Sequence, residues 1–351
     1  MNQELCGLIP VLEVLQLGPA TGYTIQDPDY TYDAIRARCG ADYTLIQGSV
    51  LVVTRSHSRR SPTYTVLALY ITSETDAAVE RISRLVPANV QGMSKYYPTK
   101  ESIKFYKGMR PVKDGASAVS SYLKRPAYAG RNFYDGIGFF AGRNGSGMEI
   151  LYSKRKPAAL DDQSFVTNHA MTYSGVFALE QKYVPAVANM RRRLAETSGS
   201  PGAIPGLPPD LLPANAVACS IGFACDAHND SGRNGMTESI LWNAVVGTPP
   251  SSGRYAFVMV EARVLVDLQC APGSFMAIRS DTTHGSVLPN LPAPMTAKEA
   301  VELKHELVGC VIMTKKQTSS NTATMNAALS RLRDAVWHGT PGDALYGGIQ
   351  V

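Results

Sequence analysis

From residue 214 onward the chain is a succession of short apolar runs with little room between them for helices. They read "AVACSIGFA", "SILWNAVVG", "RYAFVMV", "ARVLVDLQC", "SFMAIRS" and "ELVGCVIMTKK". The runs are rich in β-branched and aromatic residues, and Gly, Pro, Asn or Asp recur between them, the pattern of strands closed by turns. Many short strands without intervening helices exclude a parallel α/β sheet and point to an antiparallel sandwich or barrel. The Pro272-Gly273 pair marks a tight turn just ahead of one strand. A last amphipathic helix is expected over about 321–337, "NTATMNAALSRLRDAVW".

The stretch 1–165 is more mixed. "SVLVVTRS" and "TYTVLALYIT" form an expected hairpin, and "ETDAAVERISRLV" carries its apolar residues at helical spacing. "RPAYAGRNFYDGIGFFAGRNGSG" reads as a glycine-rich hairpin, with a nucleic-acid clamp of interleaved Arg and aromatics as the competing reading. A helix kinked by Pro185 is expected over roughly 175–197, followed by the Pro/Gly-rich loop "SGSPGAIPGLPPDLLP" at 198–213. The division expected is thus a mixed α/β N-terminal region, 1–165, and a strand-built core with flanking helices, 166–351. The fold class expected is α+β.

With 44% hydrophobic and 18% charged residues, the chain has the composition of a soluble globular protein. No apolar run reaches the roughly 18–20 residues that span a bilayer, so no membrane partner is expected. The N-terminus contains Glu4 and Glu13 and lacks a basic start, making it a poor signal peptide. Six dispersed cysteines with no CxxC pair imply reduced thiols in an intracellular protein and give no support to a zinc cluster. The net charge of +5 lies wholly within positions 1–165, where 20 Lys+Arg face 15 Asp+Glu; the remainder carries 14 of each. The clusters "RSHSRR", "SKRKP" and "MRRRL" suit a polyanion, and equally a solvated surface.

The segment "ACDAHNDSGRNG" at 224–235 holds His228 and Asp230 at what reads as a strand end. Residues two apart on a strand point to the same side, so both can reach one ion. Two imidazoles and one carboxylate on one face of a metal make a non-haem iron(II) site that leaves the opposite positions open. His284 comes well after Asp230, just past a turn and a strand, and is the candidate second imidazole among only six histidines. His-x-Asp alone is a weak signal; the later turn-strand-His makes it fairly specific.

These segments together, and "DLQCAPGSFMAIRSDTTHG" most specifically, resemble the TET/JBP dioxygenases over about residues 165–316. The resemblance is strongest to an algal, Chlamydomonas-type branch that modifies 5-methylcytosine with vitamin C. It implies a double-stranded β-helix (jelly-roll) core, Fe(II) held by His228, Asp230 and His284, O2 as oxidant, and a methylated base flipped out of double-stranded DNA. A nuclear location follows from that substrate. Relatives that use 2-oxoglutarate carry an Arg on the last strand to pair with its distal carboxylate. Here no Arg lies between His284 and Arg331, Leu307 stands near the expected place, and Lys304 and His305 come just before it. L-ascorbate is therefore the expected co-substrate and glyceryl donor. The alternative is 2-oxoglutarate anchored by Lys304 or His305, giving a TET-like hydroxylase. Ser220 is a further expected co-substrate contact. Several relatives place a base-reading Asp five residues after the first His. Arg233 stands there in this chain, with Asp226 or Glu238 as substitutes. Arg191, Arg192 and Arg193 are expected DNA-backbone contacts. A non-catalytic nucleic-acid-binding jelly roll is the reading of another class, and oligomeric state is left open.

Overall fold

The structure, a computed structural model, describes residues 9–14, 43–55, 64–96, 131–133, 139–141, 148–150, 162–198, 216–221, 225–228, 237–244, 255–287 and 307–313. It is a strand-rich α+β protein. The expected hairpin forms β3 (Val50–Arg55) and β4 (Tyr64–Thr72), antiparallel, with a bulge after Val52. β1 (Val11–Val14) lies parallel beside β3, and β2 (Thr44–Ile46) joins the other sheet. Two helices follow, α1 (Ala77–Ser83) and α2 (Val86–Tyr96), where the sequence suggests one. In the aromatic, glycine-rich segment, β5 (Arg131–Phe133) precedes β6 (Phe139–Ala141) and β7 (Met148–Ile150), and the last two pair as the expected hairpin.

The helix expected from about 175 begins instead near 163, as α3 (Gln163–Tyr183). The Asp162 side chain caps it, accepting from the Phe165 amide, so the start is set by a local hydrogen bond more than by propensity. As expected, Pro185 interrupts it: α4 (Pro185–Ser198) begins there after a break at Val184.

The eight later strands are β8 (Ala216–Ile221), β9 (Cys225–His228), β10 (Thr237–Ala244), β11 (Ala256–Met259), β12 (Val264–Asp267), β13 (Gly273–Arg279), β14 (His284–Val287) and β15 (Leu307–Met313). They pair antiparallel in nested fashion: β8 with β15, β9 with β14, β10 with β13, β11 with β12. The pattern is that of one long hairpin folded over on itself. One sheet runs β1-β3-β4-β13-β10-β15-β8-β5 and the other β2-β12-β11-β14-β9. The expected 321–337 helix and nearly all of the 198–213 loop lie outside the described residues.

The strands from before residue 165 extend both of these sheets, β4 pairing with β13 and β2 with β12. Between the sheets Val52 and Tyr70 pack with Trp242, Phe257 and Met276, while on the outer face of the large sheet Leu51 and Ile71 pack with Leu241, Phe275 and helical Tyr173. The order helices, large sheet, small sheet explains why β13 is buried almost throughout and shows no alternation. Each such large apolar side chain contributes about 1.5–3 kcal/mol by burial. At the α1–β13 crossing, a Cβ on Gly273 would come within 3.0 Å of the Glu80 Cα, so glycine allows the close approach.

Two polar devices fix the helical layer. Asp76 caps α1 through the Ala78 amide and accepts from Lys182 Nζ at 2.7 Å and Tyr183 Oη at 2.5 Å. Partial burial alone would raise its pKa, but those three hydrogen bonds outweigh it and hold the carboxyl below its ordinary range. His169, fully buried on α3, stacks on Tyr173 with centroids 5.2 Å apart. Burial pushes its pKa from 6.5 to about 3. Between those values the unfolded chain binds a proton that the folded chain refuses, so stability falls as pH falls through this window. His169→Phe, which keeps the stacking, is expected to flatten the loss of melting temperature between about pH 7 and about pH 5. Equal losses in both proteins would refute this.

Candidate metal centre

The register of the small sheet brings the two candidate imidazole positions together. His284 is directly opposite His228 on β9 and directly opposite Met259 on β11. Directly opposed residues of an antiparallel pair share a face, with Cβ atoms about 5 Å apart. Phe257 lies two residues from Met259 on that same face, and both belong to the core between the sheets. Met259 and His284 are therefore on the inward face, and His228 stands at the register position opposite His284. Between His284 and Ser286 the β14–β9 register shifts, a local irregularity beside the pair.

His284 is held firmly. It is 4% exposed, and its ring stacks on Phe257 with centroids 5.3 Å apart and planes inclined 17°. Its Nδ1 lies 2.8 Å from the Thr282 carbonyl oxygen. That oxygen can only accept, so Nδ1 carries the proton and the lone pair of the neutral ring falls on Nε2. A carbonyl that fixes the tautomer and ring plane is the usual support behind a metal-binding imidazole. Thr283 Oγ1 in turn donates to Glu261 Oε1 at 2.7 Å, tying the β13–β14 turn to the β11–β12 turn. A cavity of about 160 Å³ bordered by Thr282, Arg279, Asp281 and Glu261 adjoins this turn. Sequence reasoning missed Thr282 and Phe257; the signal for Phe257 was its alternation with Met259 in "RYAFVMV".

Glu238 is buried, at 6% exposure, on β10 opposite Ile278. It alternates with Ile240 and Trp242, so it too lies on the inward face, in the large sheet. Its neighbour Thr237 pairs with Arg279, from which a short turn leads to His284; the segment 229–236 leads back to His228. Glu238 and the two histidines thus share one end of the rolled sheets.

The other expected residues fare differently. Arg191 is wholly buried: its Nε donates to Glu180 Oε1 and Oε2 at 2.9 and 3.0 Å, and an Nη donates to the Ile312 carbonyl at 3.5 Å. The expectation that it contacts DNA is corrected, because an interior ion pair occupies it. Arg192 is half-buried with its guanidinium carbon 5.3 Å from the Phe177 ring centroid, and Arg193 is exposed. Ser220 lies on β8 opposite Gly309 and Asn132, and Asp226 lies within β9 where the register shifts. Asp230, Arg233, Lys304 and His305 lie outside the described residues. Among the described residues Cys219, Cys270 and Cys310 form no disulfide. No helix among the described residues is long and apolar enough to cross a membrane.

No protein-family model matches the chain, and no curated protein matches it. Among solved structures it is similar to that of OsALKBH1, at 13% identity and a TM-score of 0.30, over 74% of this chain and 99% of that one. At that score the likeness bears on neither fold nor activity.

Proposed function

We propose that the chain is a non-haem iron(II) dioxygenase on a double-stranded β-helix, modifying the methyl group of 5-methylcytosine in nuclear DNA. The nested pairing of eight strands in two sheets supports the jelly roll. The observation that carries the iron site is the register of His284 against His228, with the His284 tautomer set by Thr282. Asp230, two residues past His228, completes two imidazoles and a carboxylate. Iron(II), when bound, supplies the activation of O2 that oxidation of a methyl C–H bond requires.

The chain's own residues orient that chemistry. Phe257 and Thr282 keep the His284 ring in one plane and one tautomer. The target base leaves the duplex to reach an inward-facing site, at a cost of a few kcal/mol. Arg193, exposed on α4, and the basic residues of the N-terminal half are the candidate contacts to the DNA backbone. β15, "LVGCVIM", carries no cation, which favours L-ascorbate as co-substrate and glyceryl donor over 2-oxoglutarate.

The test is nucleoside mass spectrometry after incubating the protein with methylated duplex DNA, Fe(II) and either ascorbate or 2-oxoglutarate. A glyceryl adduct on methylcytosine with ascorbate alone is the expected product. Hydroxymethylcytosine that requires 2-oxoglutarate would move the assignment to a TET-like hydroxylase. DNA binding with no altered base under either condition would leave a non-catalytic binding protein.

A further inference from the structure

We propose that Cys219 and Cys310 are a reversible disulfide site, a dithiol that peroxide closes across the outermost strand pair, β8 and β15. The two cysteines stand directly opposite in that antiparallel register, and their side chains are hydrogen-bonded to one another. Opposed residues of such a pair have Cα atoms about 4.5–5.5 Å apart, within the roughly 4.4–6.8 Å that a disulfide spans. Their Cβ atoms are about 4.5–5.5 Å apart, beyond the mean of about 3.8 Å in a disulfide, so closing the bond draws the strands together. A bond strained in that way is more easily reduced, which suits a switch better than a permanent staple. The pair belongs to the core on the outer face of the large sheet, away from the inward face of His284.

α2 covers the two sulfurs. Cys219 is 0% exposed and Cys310 1%, packed with Val86 and Val90 of that helix. Asn89, also on α2 and fully buried, donates from Nδ2 to Cys219 Sγ at 3.4 Å. Its Oδ1 is buried too and meets no hydrogen-bond donor among the described residues. A buried carbonyl oxygen without a donor is destabilising, and water satisfies it once the helix lifts. The orphan oxygen thus lowers the cost of opening α2 locally over the pair. While α2 is seated, burial and the neighbouring Cys219 hold the Cys310 thiol above its ordinary range, protonated and unreactive. When it lifts, one sulfur attacks a peroxide oxygen as thiolate, the O–O bond breaks, and a sulfenic acid and hydroxide result. The second sulfur then displaces the hydroxyl, forming the S–S bond as the S–O bond breaks. Each sulfur has lost one electron, both thiol protons have gone to oxygen, and one hydrogen peroxide has become two waters.

The experiment treats the folded full chain with hydrogen peroxide, blocks the remaining thiols with N-ethylmaleimide, and maps linked peptides by mass spectrometry without reduction. The expected result is a Cys219–Cys310 peptide as the main disulfide, opened again by reduced glutathione. Asn89→Leu, which removes the unpaired oxygen, is expected to slow its formation about tenfold. Urea below the unfolding transition, which favours local opening, is expected to speed it in the wild type and serves if the variant does not fold. No such peptide from the folded chain, a dominant link to another cysteine, or a link that survives glutathione would each overturn the proposal. A rate that neither Asn89→Leu nor urea changes would overturn it as well, because the sulfurs would then not be gated by α2.

Discussion

Loaded anaerobically with Fe(II), the wild-type chain is expected to hold about one iron, and His284→Ala essentially none. On the proposed assignment the ring supplies a ligand nitrogen whose lone-pair direction is fixed by the Thr282 carbonyl and by stacking on Phe257. Its removal takes away one of the three proposed protein donors. Because His284 is 4% exposed, alanine also leaves a cavity, with a stability cost of about 1–3 kcal/mol. His284→Gln, closer in volume, separates the two effects: it should stay near wild type in thermal melting and still lose the metal. His228→Ala, at the end of β9, gives the same loss from the opposite register position. Full iron occupancy in either His284 variant, measured by metal analysis after desalting, would show that this pair is not the metal centre.

Arg191→Met is expected to destabilise the fold by about 3–5 kcal/mol, because it leaves the Glu180 carboxylate buried without its cation. Both side chains are 0% exposed, so water cannot take over for either one. The pair joins α3 to α4, and the bond from Arg191 to the Ile312 carbonyl extends the tie to β15. Against a total stability of about 5–15 kcal/mol, such a loss is a large fraction. Replacing both, Arg191→Met with Glu180→Leu, is expected to recover most of it, since an apolar pair of similar volume no longer pays for desolvating two charges. Urea unfolding of the two single variants and the double variant gives the coupling directly. A single variant within about 0.5 kcal/mol of wild type would mean that the pair does not act as a buried ion pair.

The later strands were legible in the sequence because each is short, apolar and closed by turn residues. "SILWNAVVG", "RYAFVMV" and "SFMAIRS" correspond to β10, β11 and β13. The Pro272-Gly273 signal stands immediately before β13 and within it, but glycine is needed there chiefly for the approach of α1. That reason is tertiary, and no local pattern carries it. The start of α3 was missed because its first turns hold Thr, Asn and Ser, weak helix formers; the Asp162 cap and the buried face of Phe165, His169 and Tyr173 hold them helical. Of the candidate site, the residue types and their order were legible, whereas the pairing of His228 with His284 is a property of register. Arg191 misled because a run of three arginines reads as surface, and nothing in "MRRRL" tells which one meets Glu180 on the preceding helix.

The nesting of the strands has a kinetic consequence. β11 and β12 meet through a short turn, and each pair outside them spans a longer stretch of chain, up to β8 with β15. Closing the inner pairs first shortens the effective loop for each outer one, so assembly runs from the β11–β12 hairpin outward like a zip. His228 and His284, distant along the chain, come together only at the third closure. A slip of one residue in the pairing of β14 would present His284 to the wrong face of the sheet. The proposed metal centre thus requires β14 to be in register with both of its neighbours, and a folding intermediate with only the inner hairpins has no place for the ion.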